Sequence, residues 1–159
     1  MLRILSGLNF PGAPAPELQM QPAGFDLTVR TVSRFKEVGA LDLTNEYRRV
    51  PVSMDLPWPD RYPLTLSIGS YLITYNEEIT IPPDCAGVVL PRSSLLRCGC
   101  ALHSALWDPG YEGRGQGLLT VGNEIALYRD ARIGQLVLIS LERAAEELYS
   151  GTYQGEGLH

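Results

Sequence analysis

The chain has 159 residues, of which 45% are hydrophobic and 19% charged, and this composition favours one folded domain with a sizeable core over a disordered chain. Its formal net charge of -5 argues against a general nucleic-acid-binding surface, because that activity usually requires a basic excess; a local basic pocket is still compatible with it. We therefore expect a single domain over residues 1–159 with no nucleic-acid partner.

The cellular location is predicted from the N-terminal residues and the cysteines. Residues 1–10 contain too short an apolar run for a secretory signal, and no run in the chain approaches the length of a transmembrane helix. Cys85, Cys98 and Cys100 cannot all pair within one chain, which fits a reducing compartment. We expect a cytoplasmic protein without a membrane partner. A zinc set of Cys98, Cys100 and His103 lacks an evident fourth ligand and is disfavoured.

The first half of the chain is rich in turn residues. Proline and glycine dominate residues 11–24, which predicts a loop that leads into a first strand at 25–29. Asp26 interrupts this apolar strand, and on residue type alone it favours an edge or turn carboxylate bonded to backbone amides. Prolines recur in residues 45–63 around Trp58 and predict a segment without long elements, which covers the core or reaches a neighbouring subunit.

The second half consists of short β-branched and aromatic runs separated by turn residues, a pattern typical of an all-β sandwich or barrel. The predicted strands lie at residues 71–75, 79–81, 85–90, 117–121, 125–128 and 133–141. A helical segment is predicted at residues 143–149. The small polar tail, residues 150–159, is expected to be either a flexible end or a closing lid.

Residues 91–99 predict a helix of one or two turns that begins with hydroxyl residues and stops at a glycine. The free amides at its start, the Arg92 guanidinium and the hydroxyls of Ser93 and Ser94 would together bind an anion. The same residues are equally compatible with a helix that Ser93 merely caps and an Arg92 that pairs with a surface carboxylate.

The segment Asp108-Pro109-Gly110-Tyr111 has the residues of a type II turn, with proline at the second position and glycine at the third. Such a turn brings the Cα atoms of Asp108 and Tyr111 within about 7 Å, so that a carboxylate and a phenol share one rim. Taken alone, the motif is more often an ordinary hairpin turn whose aspartate bonds its own backbone.

The chain resembles the dUTPase and dCTP deaminase superfamily, and within it most closely the archaeal-type dUTP diphosphatases. The resemblance is carried by five short segments in the expected order, which together span most of the chain: residues 23–27, 91–95, 107–113, 132–136 and 153–155. It implies an all-β fold, a distorted jelly roll with one or two short helices. It also implies a homotrimer with active sites between subunits, and Mg²⁺ that is held by the substrate's triphosphate.

The resemblance also implies roles for individual residues. Asp108 would orient and deprotonate the attacking water and contact the deoxyribose 3′-hydroxyl, and Tyr111 would pack on the sugar and exclude a 2′-hydroxyl. The backbone of residues 101–107 and of the strand after residue 113 would read the base. The remaining candidates are Arg92, Ser93, Ser94 and Gln135 for phosphate, Arg97 as a further cation, Asp26 as a supporting contact, and Tyr153 and Gln154 in the segment that closes over the nucleotide.

The deaminases of this superfamily resemble one another in a glutamate three residues before an asparagine, on the strand after the third motif. Here the asparagine is Asn123, which places Thr120 at that position, and an ungapped count places Leu118 there; neither side chain transfers protons. We therefore expect hydrolysis of dUTP to dUMP and pyrophosphate. Deamination of dCTP and a non-catalytic nucleotide-binding regulator are the alternatives. An insertion before this strand leaves Gln116 and Glu124 as further candidates near the base.

Overall fold

The structure, a computed structural model, describes residues 2–3 and 9–158, so most of the segment used to argue against a secretory signal lies outside the described residues. The elements in chain order are β1 (Leu2–Arg3), α1 (Pro16–Gln19), β2 (Met20–Gln21), β3 (Gly24–Phe35), β4 (Ser53–Asp55), β5 (Leu64–Leu66), β6 (Gly69–Tyr75), β7 (Ile79–Thr80), β8 (Cys85–Pro91), α2 (Ser93–Arg97), β9 (Cys100–His103), β10 (Glu112–Gly113), β11 (Gln116–Val121), β12 (Ile125–Leu127) and β13 (Arg132–Ser140).

The strands form an antiparallel network centred on β3 and β13. The long strand β13 pairs with β3, β8 and β1, and β3 continues through β6 to β11 and β9. Two further antiparallel pairs are β7 with β10 and β5 with β12. The predicted all-β class is confirmed.

The burial pattern explains why these runs form strands. Burial alternates along β6 and β11, as expected for strands with one face on the core, whereas β3 and β13 are buried over longer runs at the centre of the network. Fully burying one such aliphatic side chain contributes about 1.5–3 kcal/mol. Core side chains that are at most 1% exposed include Phe25, Leu27, Ile73, Tyr75, Leu119 and Leu136.

The predicted strands of the second half are confirmed with ends shifted by a residue or two, as β6, β7, β8, β11, β12 and β13. The first strand is longer than the predicted 25–29, since β3 spans 12 residues. Residues 11–24 are not a loop throughout, because they contain α1 and β2.

Residues 143–149 do not form the predicted helix. The amide of Ala145 donates to the Pro83 carbonyl at 2.9 Å, and the amide of Tyr149 donates to the Pro109 carbonyl at 2.8 Å. Because these amides bond to distant loops, they are not available for the i to i−4 bonds of a helix. The helices α1 and α2 span four and five residues. The described part of the chain has no helix long and apolar enough to cross a membrane.

Residues 101–107, whose backbone the resemblance assigns to reading the base, form a strand only in their first half. β9 ends at His103, and Trp107 then forms a separate bridge to Gly87, with amide-to-carbonyl distances of 2.8 and 2.9 Å. The chain thus leaves the β11 side of the network and meets β8. Trp107 is fixed at that junction, immediately before the Asp108 turn.

Part of the segment at residues 45–63 covers the core, which is one of the two roles predicted for it: Leu56 and Trp58 pack there, whereas residues 45–50 are all exposed. Trp58 packs against the core cluster, and its Nε1 donates to the Arg30 carbonyl at 3.3 Å. The Arg129 guanidinium lies 5.6 Å from the centre of the Trp58 ring, a cation–π contact. Its only strand is the three-residue β4, within the described residues.

Candidate active site

The turn at Asp108–Tyr111 forms as predicted. The Tyr111 amide donates to the Asp108 carbonyl at 3.0 Å, and Gly110 has φ of +82°, which only glycine adopts readily at the third position of a type II turn. The Asp108 side chain is exposed, and among residues 9–158 it has no hydrogen-bond or ion-pair partner. The alternative of a turn aspartate bonded to its own backbone is therefore wrong, and the carboxylate is available to a ligand.

Asp108 lies on the rim of a cavity of about 190 Å³. The lining combines residues 105–107 with Asp108, Tyr111, Gln116, Tyr149, Tyr153 and Glu156. The structure thus brings together three residues proposed from the sequence, Asp108, Tyr111 and Tyr153. Of the two further candidates near the base, Gln116 lines this cavity and Glu124 does not.

Aromatic rings form one wall of the cavity. The Tyr111 ring, 4% exposed, stacks on Trp107 with centroids 5.6 Å apart, and the edges of Tyr75 and Tyr149 pack against this pair. A Cβ on Gly115 would lie 2.3 Å from Cζ2 of Trp107, so glycine is required for this close approach. The Tyr111 ring is therefore held by packing on two sides.

The C-terminal tail lies against the turn. The Gln154 side chain accepts from the Glu112 amide at 3.2 Å and donates to the Gly110 carbonyl at 3.0 Å. Tyr153 lines the cavity, and its amide donates to the Tyr149 hydroxyl at 3.2 Å. The tail therefore occupies the position of a closed lid. Its movement on ligand binding stays a prediction, and His159 lies outside the described residues.

Glu156 is a cavity residue that the sequence did not reveal. The Tyr111 hydroxyl donates to its Oε1 at 2.8 Å. Burial raises the pKa of the Glu156 carboxyl, and the hydrogen bond from Tyr111 opposes that rise. Burial, followed by the contact with Glu156, raises the pKa of Tyr111, so the phenol keeps its proton and acts as a donor. The only sequence signal was proximity to the Tyr153 motif.

A second group of predicted residues surrounds Asp26. This carboxylate is 1% exposed near the start of β3, opposite Gln135 of β13. Its Oδ2 lies 2.9 Å from Nε of Arg92 and 3.4 Å from NH1 of Arg132. Burial is the largest influence and raises the pKa of Asp26, while the two arginines and a hydrogen bond from Gln135 oppose that rise.

Both alternatives for these residues are therefore wrong: Asp26 is not an edge carboxylate satisfied by backbone amides, and Arg92 pairs with a buried partner rather than a surface one. Arg132, which lies within the fourth motif, was missed as a member of this group.

The predicted short helix is confirmed as α2, and its serines are exposed. Its N-cap residue is Arg92, with no side-chain cap bond, so Ser93 is not the cap. Arg97 donates from NH1 to the Ser93 carbonyl at 3.2 Å. Within the described residues, neither this helix nor the Asp26 group lines the Asp108 cavity. One chain thus carries the predicted site residues in two separate groups.

A third polar group, also missed, lies inside the fold. Glu77 is fully buried and accepts from the Thr28 hydroxyl at 2.6 Å, the Thr28 amide at 3.0 Å and the Gln19 side-chain amide at 2.7 Å. Burial raises the pKa of Glu77, and these donors oppose that rise. The dipeptide Glu77-Glu78 between two strands reads as an exposed turn in the sequence, which is why it gave no signal.

The chain belongs to the dCTP deaminase-like family, whose model matches residues 4–141. It is 42% identical over 142 residues to a probable deoxyuridine 5′-triphosphate nucleotidohydrolase of Methanosarcina acetivorans, covering 88% of this chain and 83% of that protein. It is 39% identical over 141 residues to a deoxyuridine 5′-triphosphate nucleotidohydrolase of Methanocaldococcus jannaschii, covering 87% and 89% respectively. The resemblance inferred from the five motifs is confirmed.

Two solved structures show the fold. A 2′-deoxycytidine 5′-triphosphate deaminase from Agrobacterium tumefaciens matches with a TM-score of 0.56 and 21% identity, over 86% of this chain and 41% of that chain. A dUTPase of Staphylococcus bacteriophage 80alpha matches with a TM-score of 0.53 and 13% identity, over 95% and 96%. The predicted distorted jelly roll is confirmed.

Proposed function

We propose that this protein is a dUTP diphosphatase that hydrolyses dUTP to dUMP and pyrophosphate. The observation that carries the proposal is the exposed Asp108 carboxylate, which has no partner among the described residues and stands on the rim of a cavity walled by Tyr111. The names of the relatives support the choice of dUTP as substrate.

The reaction needs a base beside one water molecule. Asp108 would accept a proton from this water as its oxygen attacks the α-phosphorus. The bond between the α-phosphorus and the oxygen that bridges to the β-phosphate then breaks, and pyrophosphate leaves. The exposure of Asp108 supports this role, because water reaches its carboxylate directly.

The wall of the cavity suits a deoxyribose. The Tyr111 ring is held against Trp107 and Tyr149, so it cannot retreat from an added hydroxyl without breaking aromatic contacts. This rigidity supports the proposed exclusion of a 2′-hydroxyl and therefore a preference for dUTP over UTP.

Magnesium would enter with the substrate. No group of three or more His, Cys, Asp or Glu side chains that could hold a metal ion occurs among the described residues. The ion would be held by the oxygens of the substrate's triphosphate and by water, ligands that Mg²⁺ prefers, with no direct protein ligand. When bound, the ion would neutralise charge on the phosphate chain.

The complete site is proposed to form between subunits of a homotrimer. A cavity of 190 Å³ is smaller than the roughly 300–1,000 Å³ typical of small-molecule sites, so it would hold only part of a nucleoside triphosphate. The candidate phosphate ligands lie in the Asp26 group and in the adjoining helix α2, and neither of these lines the cavity. These candidates are Arg92, Ser93, Ser94 and Gln135. A neighbouring copy would bring that group to Asp108.

Mixing two inactive variants tests the shared site. If Arg92 and Asp108 of one site belong to different subunits, randomly mixed Arg92→Ala and Asp108→Asn trimers regain about a quarter of the wild-type activity, because one site in four has both native residues. If both residues serve a site within one chain, the mixture stays inactive. Co-expression provides the mixing, and mass measurement confirms the trimer.

Product analysis tests the reaction itself. Purified protein is incubated with dUTP, dCTP and UTP plus Mg²⁺, and pyrophosphate and ammonia are assayed separately. We expect pyrophosphate from dUTP alone, and a loss of at least about 100-fold in kcat for Asp108→Asn with dUTP affinity retained. The control is Asp60→Asn, the same change at an exposed site away from the cavity. Unchanged turnover in Asp108→Asn would remove Asp108 from the mechanism.

Deamination of dCTP is the second candidate, and one observation favours it. Thr120 and Leu118 do not line the cavity, but the tail brings in the carboxyl group of Glu156, which could exchange protons with a pyrimidine. Ammonia from dCTP that is lost in Glu156→Gln would establish this reaction, and nucleotide binding without turnover would favour a regulatory protein. The single domain over residues 1–159 and the cytoplasmic location stay predictions.

A further inference from the structure

The hydroxyl of Tyr111 is fixed by a residue that lies 45 positions further along the chain. It donates to Oε1 of Glu156 at 2.8 Å. Ring stacking restrains the plane of Tyr111 through Trp107, but stacking alone leaves the ring free to slide within that plane. The bond to Glu156 removes this freedom, because it fixes the hydroxyl at the far end of the ring.

The backbone of the tail places Glu156 independently of its side chain. The Arg114 amide donates to the Glu156 carbonyl at 2.8 Å, and the Gly155 amide donates to the Glu112 carbonyl at 2.8 Å. Nε of Arg114 adds a bond to the Gly157 carbonyl at 3.0 Å. The backbone on both sides of Glu156 is thus bonded to residues 112–114, which brings its side chain towards Tyr111.

Gly113 leaves the space that this contact requires. A Cβ at this residue would lie 2.8 Å from the Tyr111 hydroxyl oxygen and 3.2 Å from Cγ of Glu156. Any other residue would therefore separate the donor from the acceptor. The tail, the turn and the strand β10 are packed to bring one phenol to one carboxyl group.

We propose that Glu156 is a positioning residue that fixes Tyr111 and thereby sets the discrimination of the site between deoxyribose and ribose. The inference rests on the proposed function, since it assigns the sugar to the Tyr111 wall. Glu156 acts through Tyr111, and the proposed general base that accepts the proton from water is a different cavity residue, Asp108. Loss of the bond should therefore relax sugar selection more than it slows hydrolysis.

The test compares Glu156→Ala with Glu156→Gln. Glutamine retains an oxygen that accepts from Tyr111, so it should preserve the selectivity, whereas alanine leaves the phenol without its acceptor. We measure kcat/KM for dUTP and UTP, and the affinities for their non-hydrolysable α,β-imido analogues. The deoxy-to-ribo ratio should fall roughly fivefold to tenfold in Glu156→Ala, the equivalent of one hydrogen bond, and stay within about twofold of wild type in Glu156→Gln.

Thr152→Val is the matched control for a loosened tail. It removes the bond from Arg48 to the Thr152 hydroxyl, 3.0 Å in length, and leaves Glu156 untouched. If this variant lowers the ratio as much as Glu156→Ala does, general loosening of the tail explains the effect and the proposal fails. The proposal also fails if Glu156→Ala and Glu156→Gln have the same deoxy-to-ribo ratio, whether that ratio is low or high in both.

Two further readouts separate this inference from the proposed function. If wild type releases no pyrophosphate from dUTP, the proposed function fails, and the affinity ratio for the analogues still decides the role of Glu156. Hydrogen exchange without nucleotide should show protected amides at Arg114 and Gly155 in wild type, because both are bonded across the tail. Unprotected amides in wild type, or equal affinity for both analogues, would refute the positioning role.

Discussion

Nε of Arg92 lies 2.9 Å from Oδ2 of the buried Asp26, and this ion pair joins the start of α2 to the centre of the β3–β13 pair. NH1 of the same guanidinium donates to the Arg132 carbonyl at 3.2 Å. Two of its three nitrogens are thus bound by the protein. The third has no partner among the described residues and is available to a phosphate of the substrate.

We expect Arg92→Lys to weaken substrate binding even though it keeps the charge. A lysine has one ammonium group, which cannot pair with Asp26, reach the Arg132 carbonyl and contact a phosphate in a fixed geometry. Steady-state kinetics should show KM for dUTP about tenfold higher, with a smaller change in kcat. The control Arg61→Lys makes the same change at an exposed residue. An unaltered KM in Arg92→Lys would mean that this guanidinium does not bind phosphate.

The buried Glu77 predicts a pH dependence of stability. The pKa of Glu77 is raised in the folded state. Its contribution to the stability of the fold is therefore fully present below the ordinary glutamate pKa of 4.5, and it is lost as the pH rises through the folded-state pKa. The free energy of unfolding of wild type should therefore fall relative to that of Glu77→Gln as the pH increases above 4.5. Urea titrations between about pH 4 and 8 measure the difference, whose slope is at most about 1.4 kcal/mol per pH unit.

The control for this measurement is Glu37→Gln at an exposed residue, which should run parallel to wild type. Asp26 has a raised pKa as well, but it is present in all three proteins and cancels from the comparison. Wild type and Glu77→Gln curves that stay parallel over the whole range would contradict the raised pKa of Glu77.

The elements predictable from the sequence are those with a local cause. The Asp108 turn depends on a proline and a glycine at adjacent positions, and the strands depend on β-branched runs bounded by turn residues. These signals act over a few residues, so a single sequence contains them. The five motifs then identified the family, and most candidate site residues followed from it.

The unpredicted features depend on contacts between distant positions. The ion pair of Asp26 and Arg92, and the bond between Tyr111 and Glu156, exist only after the strands have paired. The helix predicted at residues 143–149 failed for the same reason, since its amides bond to the loops at Pro83 and Pro109. Local propensity carries no information about such partners.

Two buried tyrosines of β6 predict stability changes of opposite sign. The Tyr75 hydroxyl is buried without a hydrogen-bond partner among the described residues, whereas the Tyr71 hydroxyl donates to the Ser67 carbonyl at 2.9 Å. Tyr75→Phe removes an unsatisfied polar group and should increase the free energy of unfolding by about 1 kcal/mol or more. Tyr71→Phe should decrease it by about 0.5–1.5 kcal/mol. Denaturant unfolding at one pH measures both, and destabilisation by Tyr75→Phe would show that its hydroxyl has a partner.

The contact between Gly115 and Trp107 predicts a coupled pair of substitutions. A Cβ on Gly115 would lie within 3 Å of three atoms of the six-membered ring of Trp107, so Gly115→Ala should cost about 1–3 kcal/mol through overpacking. It should also displace Trp107 from Tyr111 and lower the activity towards dUTP. In a Trp107→Phe background those ring atoms are absent, and the same alanine should cost less. A double-mutant cycle of unfolding free energies measures this coupling, and additive effects would show that the alanine is accommodated without displacing the ring.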